Sequence, residues 1–276
     1  MFGRIVVAFD GSDHAQDALV LALRLRDRDD GRLTLACAIS AVSEIPEEVA
    51  LMLAAGRAQV PPGVRIALRT PSAASPARAL TELAEREHAD LVVIGSSRRS
   101  IDGRISLERT AGRLLQGAPC AVVVAPPGLQ TEEPFHHVGI AYDGSPEARA
   151  ALAAGYAIAA KCRAAVTLFY ARSSAEIGDG DELLDEAAGT APAGVNLRTL
   201  LLHGAAGEQI AAASEGSVDL LVCGSRGYGP IQRALMGSVA EELMEGALHP
   251  VLVLPRQTGA ATTAADPPPA AMGAES

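Results

Sequence analysis

The stretch "GSRGYGPIQRALMGSVAEEL", Gly224 to Leu243, holds the residues of this chain best suited to chemistry. Gly224 follows the apolar run "DLLVC". Gly227 comes three residues later, and Gly237-Ser238 opens a helix-like stretch after nine intervening residues. A helix start presents unpaired backbone N–H groups and the positive end of the helix dipole. Glycines let the backbone approach a phosphate closely and adopt positive φ. Ser238 adds a hydroxyl donor. The spacing suits an anion held at a strand–loop–helix junction. The alternative is loop glycines followed by an ordinary helix N-cap.

The same frame occurs earlier as "GSSRRSIDGRISLERTAGRL", Gly95 to Leu114. There Gly95 survives, but Arg98 stands for Gly227, Glu108 for Gly237 and Arg109 for Ser238. A Glu at the helix start repels a triphosphate and takes the dipole for itself. Arg98 adds bulk where the backbone has to come close. Arg98, Arg99, Arg104, Arg109 and Arg113 form a basic cluster, either a site for another anion or a solvated face paired with Glu108 and Asp102.

Four blocks repeat in order. "IVVAFDGSDHAQDAL" (5–19) matches "VGIAYDGSPEARAAL" (138–152), which sets Asp10 opposite Asp143. "RLTLACAI" matches "AVTLFYAR", "ADLVVIGSS" matches "VDLLVCGSR", and "CAVVVAPP" matches "HPVLVLPR". Each copy alternates short β-rich runs with Ala/Leu/Glu-rich stretches, the pattern of an α/β domain with a mostly parallel sheet. Strands are expected near 4–9, 32–39, 63–69, 90–95 and 120–125. In the second copy they fall near 137–142, 164–171, 194–202, 218–223 and 250–255. Helices of the first copy lie near 13–29, 44–58, 76–88 and 107–117. The offset between copies shrinks along the chain, so the second copy has lost residues, expected around its second helix. In such a sheet the glycine loop, Asp10 and Asp143 all lie at the carboxyl edge, where ligands bind. Ser12 and Ser145 read as helix caps in strand-to-helix turns, and Asp also favours such turns.

"PPGLQTEEPFHH" (126–137) reads as a linker, and 257–276 as a disordered tail poor in bulky apolar residues. The domains are therefore 1–127 and 137–256. Aromatic residues make up 3% of the 276-residue chain and Trp is absent, so Ala, Val, Leu and Ile must form the core. Cys37, Cys120, Cys162 and Cys223 lie far apart and read as buried thiols of a reducing compartment. With no signal-like segment before "RIVVAFD" and no apolar run long enough for a bilayer, a cytoplasmic protein without membrane contact is expected.

The net charge of −10 lies wholly in the second half: residues 1–130 balance at 15 basic and 15 acidic. Broad nucleic-acid binding needs a basic face and is not expected. Lys161 is the only lysine and precedes Cys162, which rules out a Walker-type loop. Neither His203 nor His136 and His137 has an evident acid–base or nucleophilic partner, so no catalytic residue is assigned.

Gly224-x2-Gly227-x9-Gly237-Ser238 after "DLLVC", with the opening "IAYDGS" and the closing "HPVLVL", resembles the nucleotide signature of the universal stress proteins. The resemblance covers nearly all of both copies and describes a tandem member of that family. It implies two doubly wound domains, each a five-stranded parallel sheet in order 3-2-1-4-5 flanked by helices. It further implies ATP, with Mg²⁺, in the second domain. Asp143 would lie by the ribose, phosphates or metal, and Ala171 by the adenine. Cys223 and Gly224 would line the adenosine, while Gly227, Gly237, Ser238 and Val239 hold the phosphates. Fifth strands of the family pair across a dimer or tandem interface, so pairing within the chain is implied, with homodimerisation open. Three functions follow: an ATP-responsive stress or regulatory module acting on a protein partner, a slow ATPase served by a metal, Arg226 or Arg233, and a nucleotide-free interaction protein.

Overall fold

In the computed structural model the described residues are 1–39, 45–97, 104–107, 109–129, 133–172, 180–225 and 238–255. The first half runs β1 (Arg4–Ala8), α1 (Asp13–Leu25), β2 (Arg32–Ala36), α2 (Glu47–Ala58), β3 (Arg65–Arg69), α3 (Pro76–Arg86), β4 (Leu91–Gly95), α4 (Arg109–Gly117) and β5 (Ala121–Ala125). The second runs β6 (His137–Ala141), α5 (Pro146–Cys162), β7 (Ala165–Arg172), α6 (Gly180–Gly189), β8 (Leu197–His203), α7 (Ala206–Ser214), β9 (Leu220–Gly224), α8 (Ser238–Met244) and β10 (Val251–Leu254).

Within each half the strands are parallel and stand in the order 3-2-1-4-5. The halves join where β5 and β10 pair antiparallel, with Leu252 opposite Val123, to give one ten-stranded sheet. That junction buries the runs "AVVVA" and "VLVL", which would otherwise leave two apolar strand edges open to further pairing.

Strand alternation sorts the core into two layers. On one face Ile5, Val7, Leu33 and Leu35 meet α1, and Val138, Ile140 and Leu168 meet α5. On the other, Val92, Ile94 and Val122 meet α3 and α4, and Leu221, Cys223 and Val253 meet α7 and α8. The helix starts are locally coded. Ser12 caps α1, Ser75 caps α3 and Ser145 caps α5, each accepting an N–H three residues on.

Side chains tie the halves together beyond the sheet. Lys161 at the end of α5 pairs with Asp27 just after α1. Arg24 of α1 stacks 4.0 Å over the Phe135 ring. Arg104 donates to the Gly246 carbonyl at 2.8 Å and pairs with Glu215 Oε1 at 2.8 Å. Its neighbour Ile105 exchanges backbone hydrogen bonds with Ala247 and Gly246. No helix of the described residues is long and apolar enough to cross a membrane.

Candidate functional site

The site builds up from strand register. Ala141 of β6 lies opposite Phe169 of β7, and Ile140 opposite Val222 of β9. One residue past Val222 is Cys223, and two past Ala141 and Phe169 are Asp143 and Ala171. Parity therefore puts Ala171 and Cys223 on the face of Ala141 at the carboxyl edge of the sheet, while Asp143 lies two residues past the end of β6, in the turn that leads into α5. Ala240, Leu243 and Met244 of α8 pack on the face that holds Ala171 and Cys223. Ser238 is the first residue of α8, and Val239 packs partly buried against the core beneath it.

The individual residues behave differently. Cys223 is 3% exposed, and burial pushes its thiol up to about 12. It is a neutral wall at physiological pH, not a nucleophile. Asp143 accepts the Ser145 N–H at 3.0 Å, with Gly144 between them at φ 77°. Asp10, Gly11 and Ser12 form the same turn in the first half, with Gly11 also at φ 77°. The turn alone thus accounts for an Asp at both positions.

Gly224 serves the fold. A Cβ there would lie 2.8 Å from the Glu147 carbonyl carbon and 3.0 Å from the Ala148 nitrogen, in the first turn of α5. Gly95 is tighter still: its Cβ would stand 2.1 Å from the His14 carbonyl oxygen in α1. Close approach of the first helix to the fourth strand demands glycine in both halves. The family resemblance implies that Gly224 also lines the adenosine, and the packing requirement stands beside that expectation. Its packing role rests on contact with a segment some 75 residues earlier, which no local motif reveals.

Gly227 and Gly237 lie outside the described residues, as do Arg98, Arg99, Glu108, Arg226, Arg233 and the tail 257–276. Both halves nevertheless show the frame around those positions: a strand ending in glycine and then a helix, β4 with α4 in one and β9 with α8 in the other. Of the basic cluster in the first copy, Arg104 turns out to serve the junction between halves. It pairs with Glu215, while Asp102 and Glu108 lie outside the described residues. Arg113 is exposed. His203 ends β8 at an exposed position, in register with Arg172. Among the described residues no group of three or more His, Cys, Asp and Glu stands close enough to hold a metal ion unaided.

A family model described as "Universal stress protein family" matches residues 1–60, 43–126 and 134–255. Among solved structures, a universal stress protein from Archaeoglobus fulgidus superposes with a TM-score of 0.71 at 19% identity, over 92% of this chain and 98% of that one. A functionally unknown protein from Pseudomonas aeruginosa superposes with a TM-score of 0.66 at 18% identity, over 92% of each. At these identities the structural likeness is one of fold. No curated protein matches the sequence.

Proposed function

The chain belongs to the universal stress protein family, and from that premise we propose that its second half binds ATP, with Mg²⁺, at one site per chain. The phosphates lie against the N–H groups of the α8 start, held by Gly227, Gly237, Ser238 and Val239. Asp143 faces the ribose, the phosphates or the metal. Ala171 borders the adenine, and Cys223 with Gly224 lines the adenosine.

One observation carries this reading. The first half builds the same strand–loop–helix frame with Arg98, Glu108 and Arg109 at the three key positions. The frame therefore forms without Gly227 and Gly237, whereas Gly95 and Gly224 are both kept and both required by packing. Glycines that the fold can do without point to a ligand. The residues suit that ligand: small side chains at Ala141 and Ala171 and a neutral thiol at Cys223 share one face with α8, and the Asp143 carboxylate lies in the turn just past β6. A nucleotide seated there would change the surface offered to a protein partner. The first half is then a folded partner whose own loop serves the domain junction.

The test is Gly237→Glu, which copies the first half. ATP-induced amide shifts at Ser238 and Val239 are expected to disappear while the melting temperature of the free protein holds. Retained shifts at these two residues in that variant contradict the assignment. Phosphate release by the parent chain that vanishes in Asp143→Ala would add hydrolysis to binding.

A further inference from the structure

The amino edge of the first half carries a feature that the second half lacks. Arg4 lies opposite Arg32, and Arg32 opposite Arg65, on the adjacent parallel strands β1, β2 and β3. Residues in register on parallel strands point to the same face, so three arginines stand in a row with neighbouring strands about 4.8 Å apart. They line a groove of about 540 Å³ whose floor is Val6, Thr34 and Ala67, with Arg86 at the end of α3 on its rim. In the second half the corresponding row begins with His137 opposite Ala165.

Counter-charges in the groove are largely committed. Asp30 pairs with Arg65 at 2.7 Å. Glu87 takes Arg69 at 2.9 Å and the Thr34 hydroxyl at 2.5 Å. Asp90 accepts the backbone N–H groups of Gly3 and Arg4. Arg86 donates through Nε to the Glu82 carbonyl of its own helix. Arg4 and Arg32 are exposed and make no salt bridge among the described residues. A chain with a net charge of −10 thus keeps two guanidinium groups side by side without a salt bridge among the described residues, over a floor whose one nearby carboxylate, Glu87, is held by Thr34 and Arg69.

We propose that this groove binds an oligophosphate laid across β1, β2 and β3, gripped in a forked manner by Arg4 and Arg32, with Arg65 and Arg86 at its ends. A guanidinium fork matches phosphate oxygens two at a time. A run of three phosphates is compact enough to meet neighbouring forks at once. Carboxylates on one face of an extended peptide stand roughly 6.5–7 Å apart and do not match a row of forks about 4.8 Å apart. Because β5 and β10 run antiparallel, the site lies along the same edge of the ten-stranded sheet as the proposed nucleotide site, separated from it by β4, β5 and β10, and it does not rest on that reading. The same triphosphate chemistry is offered by inorganic tripolyphosphate and by the tail of a nucleotide.

The experiment follows backbone amide shifts of the full chain as tripolyphosphate is added. Saturable shifts at Thr34 and Ala67 are expected. Affinity should fall about tenfold or more in the double variant Arg4→Ser/Arg32→Ser and should hold in Gly237→Glu. Both arginines are exposed, so the melting temperature of the double variant should match the parent. Displacement of tripolyphosphate by ATP in Gly237→Glu assigns the ligand as a nucleotide tail, and failure to displace it assigns an inorganic chain. Shifts confined to Ser238 and Val239, unchanged affinity in the double variant, or no saturable binding would each overturn the proposal.

Discussion

At the scale of single residues, the two glycines kept in both halves answer to packing. Gly224→Ala sets a methyl group against the backbone of the first turn of α5, and overpacking of this kind costs about 1–3 kcal/mol. The expected result is a lower denaturation midpoint in urea, and an unchanged midpoint would show that α5 can shift away freely. His249 gives a second test. It is 7% exposed, with Nε2 3.1 Å from the Ser214 hydroxyl, and burial lowers its pKa from the ordinary value. The unfolded chain then binds the proton first as pH drops below about 6.5, so stability present above that pH is lost on acidification. His137, lowered mainly by burial and also by Arg198, acts in the same direction. The urea midpoint should therefore fall between pH 7 and pH 5.5, and fall less in His249→Gln; equal falls would remove His249 from this role. Ser12 and Ser145 were legible in the sequence because a cap is coded within three residues. Gly95, Gly224 and His249 were not, because their roles depend on neighbours distant in the chain.

At the scale of elements, period and turn chemistry located every strand to within about three residues. The helix ends were less legible. The reading carried α1 to 29, whereas it stops at Leu25, where the backbone of Arg26 turns extended and Asp27 to Asp30 fold into a turn. α5 ends differently, on Arg163 in the left-handed conformation at φ 57°, ψ 36°. That conformation is strained for a residue with a Cβ and natural for glycine. Relief of that strain, about 1–2 kcal/mol, exceeds the entropic cost of a glycine, about 0.5–1 kcal/mol, so Arg163→Gly should raise the melting temperature. A fall would mean that the Arg163 side chain contributes more than its backbone strain costs.

At the scale of the whole molecule, the chain is two unequal copies closed into one sheet. The repeat was visible in the sequence because each copy keeps its own strand runs and turns. The ties between copies were not, since Lys161 and Asp27 lie 134 residues apart and Arg104 and Glu215 lie 111 apart. Neither pair belongs to a motif. The inequality is the central point: one loop holds glycines that the fold can do without, while the neighbouring segment of the other is joined to its sister domain through Arg104 and Ile105. Stoichiometry tests it most directly. Calorimetric titration with Mg-ATP, run on the parent and on Arg4→Ser/Arg32→Ser so that the amino-edge groove does not contribute, should give one nucleotide per chain in the double variant. Two per chain would contradict the asymmetry between the halves, and none would contradict the nucleotide site itself.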